Sequence, residues 1–262
     1  MGTLALIILF TTLGGLLSVM FAGVFLLLAD GPRARLLPHL VSFATGTLLG
    51  AALLALVPDA LEGAGPGGTR GIGLALVAGI GLFFILEKLV IWRHSHSGEY
   101  ADHGAHHDHH EHREHASAVL VIIGDSIHNA LDGVIIAAAF LSDVKLGVVT
   151  AVAVMTHEIP QEVGDFAVLL HSGMPRRRAL ALNLMSSLTS VIGGLVAYFA
   201  LGHALYVLPY AVAVAASCFI YVAVADLIPG LHRRVSPRES VAQVVLIALG
   251  IAVIAIVERH AH

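Results

Sequence analysis

The sequence predicts an all-α polytopic membrane protein with eight transmembrane helices, and three observations carry that prediction. Only 12% of the 262 residues are charged and 57% are hydrophobic, about half the charged share of a soluble domain. Mean hydropathy is +0.88, too apolar for a soluble chain of this length to clothe itself in water. Several uncharged runs reach the roughly 20 residues that span a bilayer as a helix.

The spans follow from the breaks between those runs. The first, 3–29, is free of charge until Asp30. The second, 36–57, lies between Arg35 and the Pro58-Asp59 step, and the third, 71–92, between a glycine-rich turn with Arg70 and Arg93. The fourth, 117–141, starts after a histidine-rich stretch, and the fifth, 146–170, after Lys145. The sixth, 178–202, follows a triplet of arginines, the seventh, 205–229, ends at Pro229, and the eighth, 240–258, follows Pro237-Arg238-Glu239. The runs are too long and too little alternating for barrel strands. Trp92, Tyr206 and Tyr210 near span ends fit an interfacial aromatic belt. The whole chain, 1–262, reads as one membrane domain in a plasma membrane or bacterial inner membrane, with the lipid bilayer as its main environment.

Basic residues set the orientation. Of the 14 Lys and Arg, all but Arg70, Lys145 and Arg259 fall on the side of the loops after spans one, three, five and seven. The positive-inside rule puts those loops in the cytoplasm and both termini outside. The second such loop, 94–115, holds nine of the 17 histidines together with Asp102, Asp108, Glu111 and Glu114. Its imidazoles and carboxylates suit loose capture of transition metals. Cys218 is the single cysteine, so no intrachain disulfide forms. No basic stripe with interleaved aromatics points to nucleic acid.

Ionisable groups inside a span are expensive and mark a pathway or a site, and spans four and five hold most of them. Asp125, His128 and Asp132 are spaced i, i+3, i+7 and share a face of span four. On span five His157 and Gln161 share one face, while Glu158, Glu162 and Asp165 form a stripe about 100° around the helix. If the two spans face each other, His128, Asp132, His157 and Gln161 offer a ligand set that suits zinc and neighbouring ions. Asn129 and Glu158 point to an adjacent position. Pro160 frees the carbonyl of Thr156 and kinks span five; Gly133 and Gly164 allow close helix approach. Asp59 and Glu62 near the outer end of span two, and Asp226 near the inner end of span seven, are candidates for an entrance and an exit.

These two stretches, Gly-Asp-Ser-Ile-His-Asn-Ala-Leu-Asp-Gly at 124–133 and His-Glu-Ile-Pro-Gln-Glu-Val-Gly-Asp-Phe at 157–166, resemble the ZIP family of metal transporters (the Zrt-, Irt-like proteins). The second resembles the His-Glu-x-Pro-x-Glu signature of one branch. The resemblance implies inverted three-helix repeats around a central helix pair, a homodimer, and import of zinc, iron, manganese or cadmium into the cytoplasm. The metal is then a transported substrate, and no organic cofactor is expected. It places His128, Asp132, His157 and Gln161 at the main metal site. Asn129 and Glu158 match a second site, with Gln161 at the bridging position. The chain departs from the family at Gln161, where relatives carry histidine or glutamate, and at Ser190, where some carry a carboxylate.

Two other functions compete. His157-Glu158 is the first half of the His-Glu-x-x-His zinc-hydrolase motif, but the fifth position is Gln161 and Pro160 interrupts the helix. A metal sensor working through the histidine loop is the third reading. Transport is the expectation.

Overall fold

A computed structural model describes residues 2–99, 109–232 and 236–260, and every regular element among them is helical. The elements are α1 (Thr3–Phe25), α2 (Asp30–Gly50), α3 (Val57–Gly63), α4 (Thr69–Glu99), α5 (His109–Ser142) and α6 (Val144–His171). They continue with α7 (Arg176–Ser187), α8 (Thr189–Gly202), α9 (Leu208–Tyr221), α10 (Ile228–Leu231) and α11 (Pro237–His260). Several of these join end to end, so the described residues form eight rods. Seven are long and apolar enough to cross a membrane. The remaining one, α6, which is the fifth expected span, has the length, but His157, Glu158, Gln161, Glu162 and Asp165 lower its hydropathy.

The packing is that of a protein dissolved in lipid. Buried positions are filled largely by small residues, among them Ala51, Ala52, Ala137, Ala151, Ala213 and Ala216, while Val77, Val244 and Val24 point outward at 69%, 66% and 64% exposure. Small residues let helix backbones approach, and the large apolar chains meet the acyl tails. Most buried hydroxyls return to their own helix, as Thr11 Oγ1 does to the Ile7 carbonyl (2.8 Å) and Ser42 Oγ to the Pro38 carbonyl (2.7 Å). No water is needed to satisfy them.

Glycine fixes the tightest seam. A Cβ on Gly133 of α5 would sit 1.8 Å from the Ser190 carbonyl oxygen of α8, and one on Gly193 would sit 1.9 Å from that of Ala130. Gly133 therefore has the role expected of it. Gly164 does not: a Cβ there meets nothing within 4 Å, so it makes no close helix approach.

The helix neighbours pair in a way that fits inverted repeats. α1 packs on α6 and α8 on α5; α2 packs on α11 and α9 on α4. Each first-half pair thus has a second-half counterpart. Spans two and seven also share a distortion. Each widens into a π turn, at Ala51–Leu56 and Val222–Leu227, just before Pro58 or Pro229. Neither proline has an N–H to return to the carbonyl four residues back, at Leu54 or Ala225, and a five-residue turn relieves the loss.

The two largest differences from the expected boundaries flank the histidine-rich stretch. α4 runs on to Glu99 and α5 begins at His109, so helix enters the histidine-rich stretch from both sides. Residues such as Glu111, Arg113, Glu114 and Ala116 tolerate helix well outside a membrane. Residues 100–108, the middle of that stretch, lie outside the described residues. α6 stays helical through Pro160.

Candidate metal centre

The site lies where the middles of α5 and α6 meet. Asp143 caps α6, its Oδ1 accepting from the backbone N–H of Lys145 (2.8 Å) and Leu146 (3.3 Å). That starts the helix in a fixed phase. Fourteen residues along, His157 is 2% exposed, and its Nδ1 lies 3.2 Å from the Ala153 carbonyl. A carbonyl only accepts, so Nδ1 carries the proton, and Nε2 presents its lone pair inward.

Four donor atoms converge there. His157 Nε2 is 3.3 Å from His128 Nε2, 3.3 Å from Asp132 Oδ2 and 3.6 Å from Glu158 Oε1. His128 Nε2 is 3.5 Å from Glu158 Oε1 and 3.8 Å from Asp132 Oδ2. A tetrahedral ion with bonds of about 2.0–2.1 Å needs ligand–ligand edges of about 3.3–3.4 Å. The cage already has nearly that size. Asp132 Oδ2 and Glu158 Oε1 are buried and accept no hydrogen bond, a costly state inside a protein unless a cation or proton meets them.

The expected residues divide between this cage and its surroundings. His128, Asp132 and His157 come together as the spacing predicts. The fourth converging group is Glu158, which the sequence places at an adjacent position. Gln161 lines a cavity of about 310 Å³ with His128, Asp125 and Asp165, closed on the far side by α4 and α9 through Phe83 and Tyr221. His128 reaches it, keeping 24% side-chain exposure against 2–3% for its three partners. Asn129 donates its amide to Asp125, at 2.9 Å to Oδ1 and 3.1 Å to the carbonyl. Glu158 belongs to a second group as well, with Asp125 and Glu162.

Two residues that the sequence gave no reason to pick support these carboxylates from α7. Ser186 Oγ donates to Asp125 Oδ2, and the Asn183 amide donates to the Glu162 carbonyl at 3.4 Å. Small polar residues in a span normally bond their own helix, so nothing in their spacing marks them. Ser190, on α8, bonds the carbonyls of Ser187 (2.7 Å) and Thr11 (3.4 Å).

Asp59 stands apart from the cage. Its Oδ2 accepts from Ser142 Oγ at 2.6 Å, in a 220 Å³ pocket at the opposite end of the bundle that also includes Glu62, Asp143 and Lys145. Ala55 and Val149 line that pocket and belong to an apolar layer with Leu56, Ala153 and Ala216. The cage is thus reached by a cavity from one end and backed by packed side chains toward the other. The side chain of Asp226 lies outside the described part of the structure.

Comparison with known proteins agrees with this architecture. The sequence profile of the family described as ZIP Zinc transporter matches residues 1–118 and 93–258. The chain is 33% identical over 236 residues to zinc transporter ZIP13 of Pongo abelii, covering 83% of this chain and 65% of that protein. To human zinc transporter ZIP4 it is 44% identical over 119 residues, 45% of this chain and 18% of that one. To zinc transporter SLC39A7 of Mus musculus it is 29% identical over 311 residues, covering 87% and 64%. The chain therefore spans less than two thirds of the length of these relatives. Fold, helix count and family profile converge: the chain is an integral membrane protein and belongs to the ZIP zinc transporter family.

Proposed function

We propose that this protein carries zinc, or a divalent transition metal of similar chemistry, across a membrane into the cytoplasm, and that the ion pauses in the cage of His128, Asp132, His157 and Glu158. The observation that carries the reading is the cage itself: two imidazole nitrogens and two carboxylate oxygens at near-tetrahedral spacing, buried in a bundle of apolar helices. Relatives with zinc transport in their names support the choice of ion.

The passage follows from the surroundings. The acidic outer pocket at Asp59 and Glu62 raises the local cation concentration. The ion exchanges its water shell for the four cage ligands once the apolar layer opens. It leaves past Gln161, Asp125 and Asp165 through the 310 Å³ cavity, which faces the end of the bundle carrying most of the arginines. By the positive-inside rule that end is cytoplasmic, which sets the direction as import and puts both termini outside. Gln161 is then a polar lining of the exit. The hydrolase alternative is disfavoured, because Glu158 belongs to the cage and the position that would complete the His-Glu-x-x-His motif holds Gln161.

Reconstitution tests the proposal. Proteoliposomes holding the purified chain should take up zinc, and the His128→Ala/His157→Ala variant should not. Peptide or lipid cleavage without zinc flux would overturn the reading in favour of a hydrolase. Acid should inhibit. Each imidazole binds metal only when its Nε2 is unprotonated, so uptake should decline as the pH is lowered. Uptake that climbs steadily as the pH is lowered contradicts a histidine cage.

A further inference from the structure

Glu162 poses a problem that the cage does not solve. Its side chain is fully buried, at 0% exposure, and neither carboxylate oxygen accepts a hydrogen bond. It is not a member of the cage, and it is not among the residues lining the 310 Å³ cavity. It faces α7, where the Asn183 amide goes to its backbone carbonyl. Glu158, 2% exposed, also leaves both oxygens without a donor, and Asp125, 5% exposed, stands beside them. One oxygen from each of Asp125, Glu158 and Glu162 lies within 4.8 Å of the others. Three carboxylates so close, inside a membrane, repel one another and lack water.

We infer that Asp125, Glu158 and Glu162 form a second cation site, built only of oxygen and set behind the cage on its α7 side. The geometry allows it: an ion centred among three atoms no more than 4.8 Å apart lies at most about 2.8 Å from each, and small side-chain shifts bring that to ordinary oxygen–metal lengths. Asp125 is held in place for the role by Ser186 Oγ and the Asn129 amide, while the glutamates have all four oxygens free of hydrogen bonds. With no imidazole and no thiolate, the donor set favours hard divalent ions, manganese, magnesium or calcium, over zinc. Its ligands also differ from those expected by resemblance. Asp125 and Glu162 add their carboxylates to the shared Glu158, and Asn129 donates its amide N–H to Asp125. The inference rests on the cage reading only through Glu158, which the two sites share.

Manganese alone is the probe. The purified full chain is stripped with chelator and titrated with Mn²⁺, and free ion is counted by its paramagnetic resonance signal. The His128→Ala/His157→Ala variant should still bind manganese behind the lost cage. Adding Glu162→Gln to that background should release one Mn²⁺ per chain, or weaken its binding at least tenfold. Histidines of the 94–115 stretch are common to both proteins and cancel. Asp125→Asn serves as a second route to the same loss should Glu162→Gln not fold to a single helical species. Superimposable titrations with and without the carboxylate substitution would overturn the site and leave protons as the partners of these groups. Failure of zinc uptake by the parent would sink the transport proposal alone, since manganese binding is read without flux.

Discussion

Replacing His157 with alanine is expected to lower zinc uptake about a hundredfold or more. Glu158→Gln should cost nearly as much, and Gln161→Ala should stay within about threefold. Even disturbing the partners of a metal ligand costs 10–100-fold in affinity, and His157 is a direct cage member with three cage neighbours at 3.3–3.6 Å. Glu158 supplies a charge and an oxygen that an amide replaces poorly. Gln161 lines the exit cavity and offers only a neutral amide. Initial rates in proteoliposomes, normalised to protein inserted, separate the three. A loss at Gln161 equal to that at Glu158 would restore the ligand set read from sequence alone.

The second large effect concerns folding. Gly133→Val should destabilise the α5–α8 seam by about 3 kcal/mol or more, lowering the melting temperature in detergent by about 10 °C. The obstacle is backbone: the first carbon of any side chain would lie 1.8 Å from the Ser190 carbonyl oxygen, and only separation of the two helices relieves it. Because α5 also carries His128 and Asp132, the surviving protein should lose uptake as well. Gly164→Ala provides the contrast. It meets nothing within 4 Å, so its melting temperature should hold or rise by a few degrees, as glycine gives way to a better helix former. Thermal melts of the purified variants check both.

The apolar runs located all eight rods of the described residues, although the second, third and fourth run six to eight residues past the expected spans, because bilayer thickness dictates the apolar length whatever the partners are. The polar stripes likewise pointed to α5 and α6 as the seat of the site. What they left open was which side chains meet. A helical wheel fixes angles on one helix, about 100° between His157 and Glu158, but not which turn of the neighbour lies opposite. A long glutamate side chain spans that angle and enters the cage beside His157. The roles of Ser186 and Asn183 were equally hidden, since they depend on α7 lying against α5 and α6. The π turns are legible only in hindsight, from the matching positions of Pro58 and Pro229.

The central claim is that zinc sits between α5 and α6 in a cage that includes Glu158, and anomalous diffraction at the zinc edge from crystals grown with zinc addresses it without reliance on flux. The expected result is a peak about 2.0–2.2 Å from His128 Nε2, Asp132 Oδ2, His157 Nε2 and Glu158 Oε1. Zinc held by Gln161 with the Glu158 carboxylate turned away, or no zinc between these two helices at all, would contradict the account.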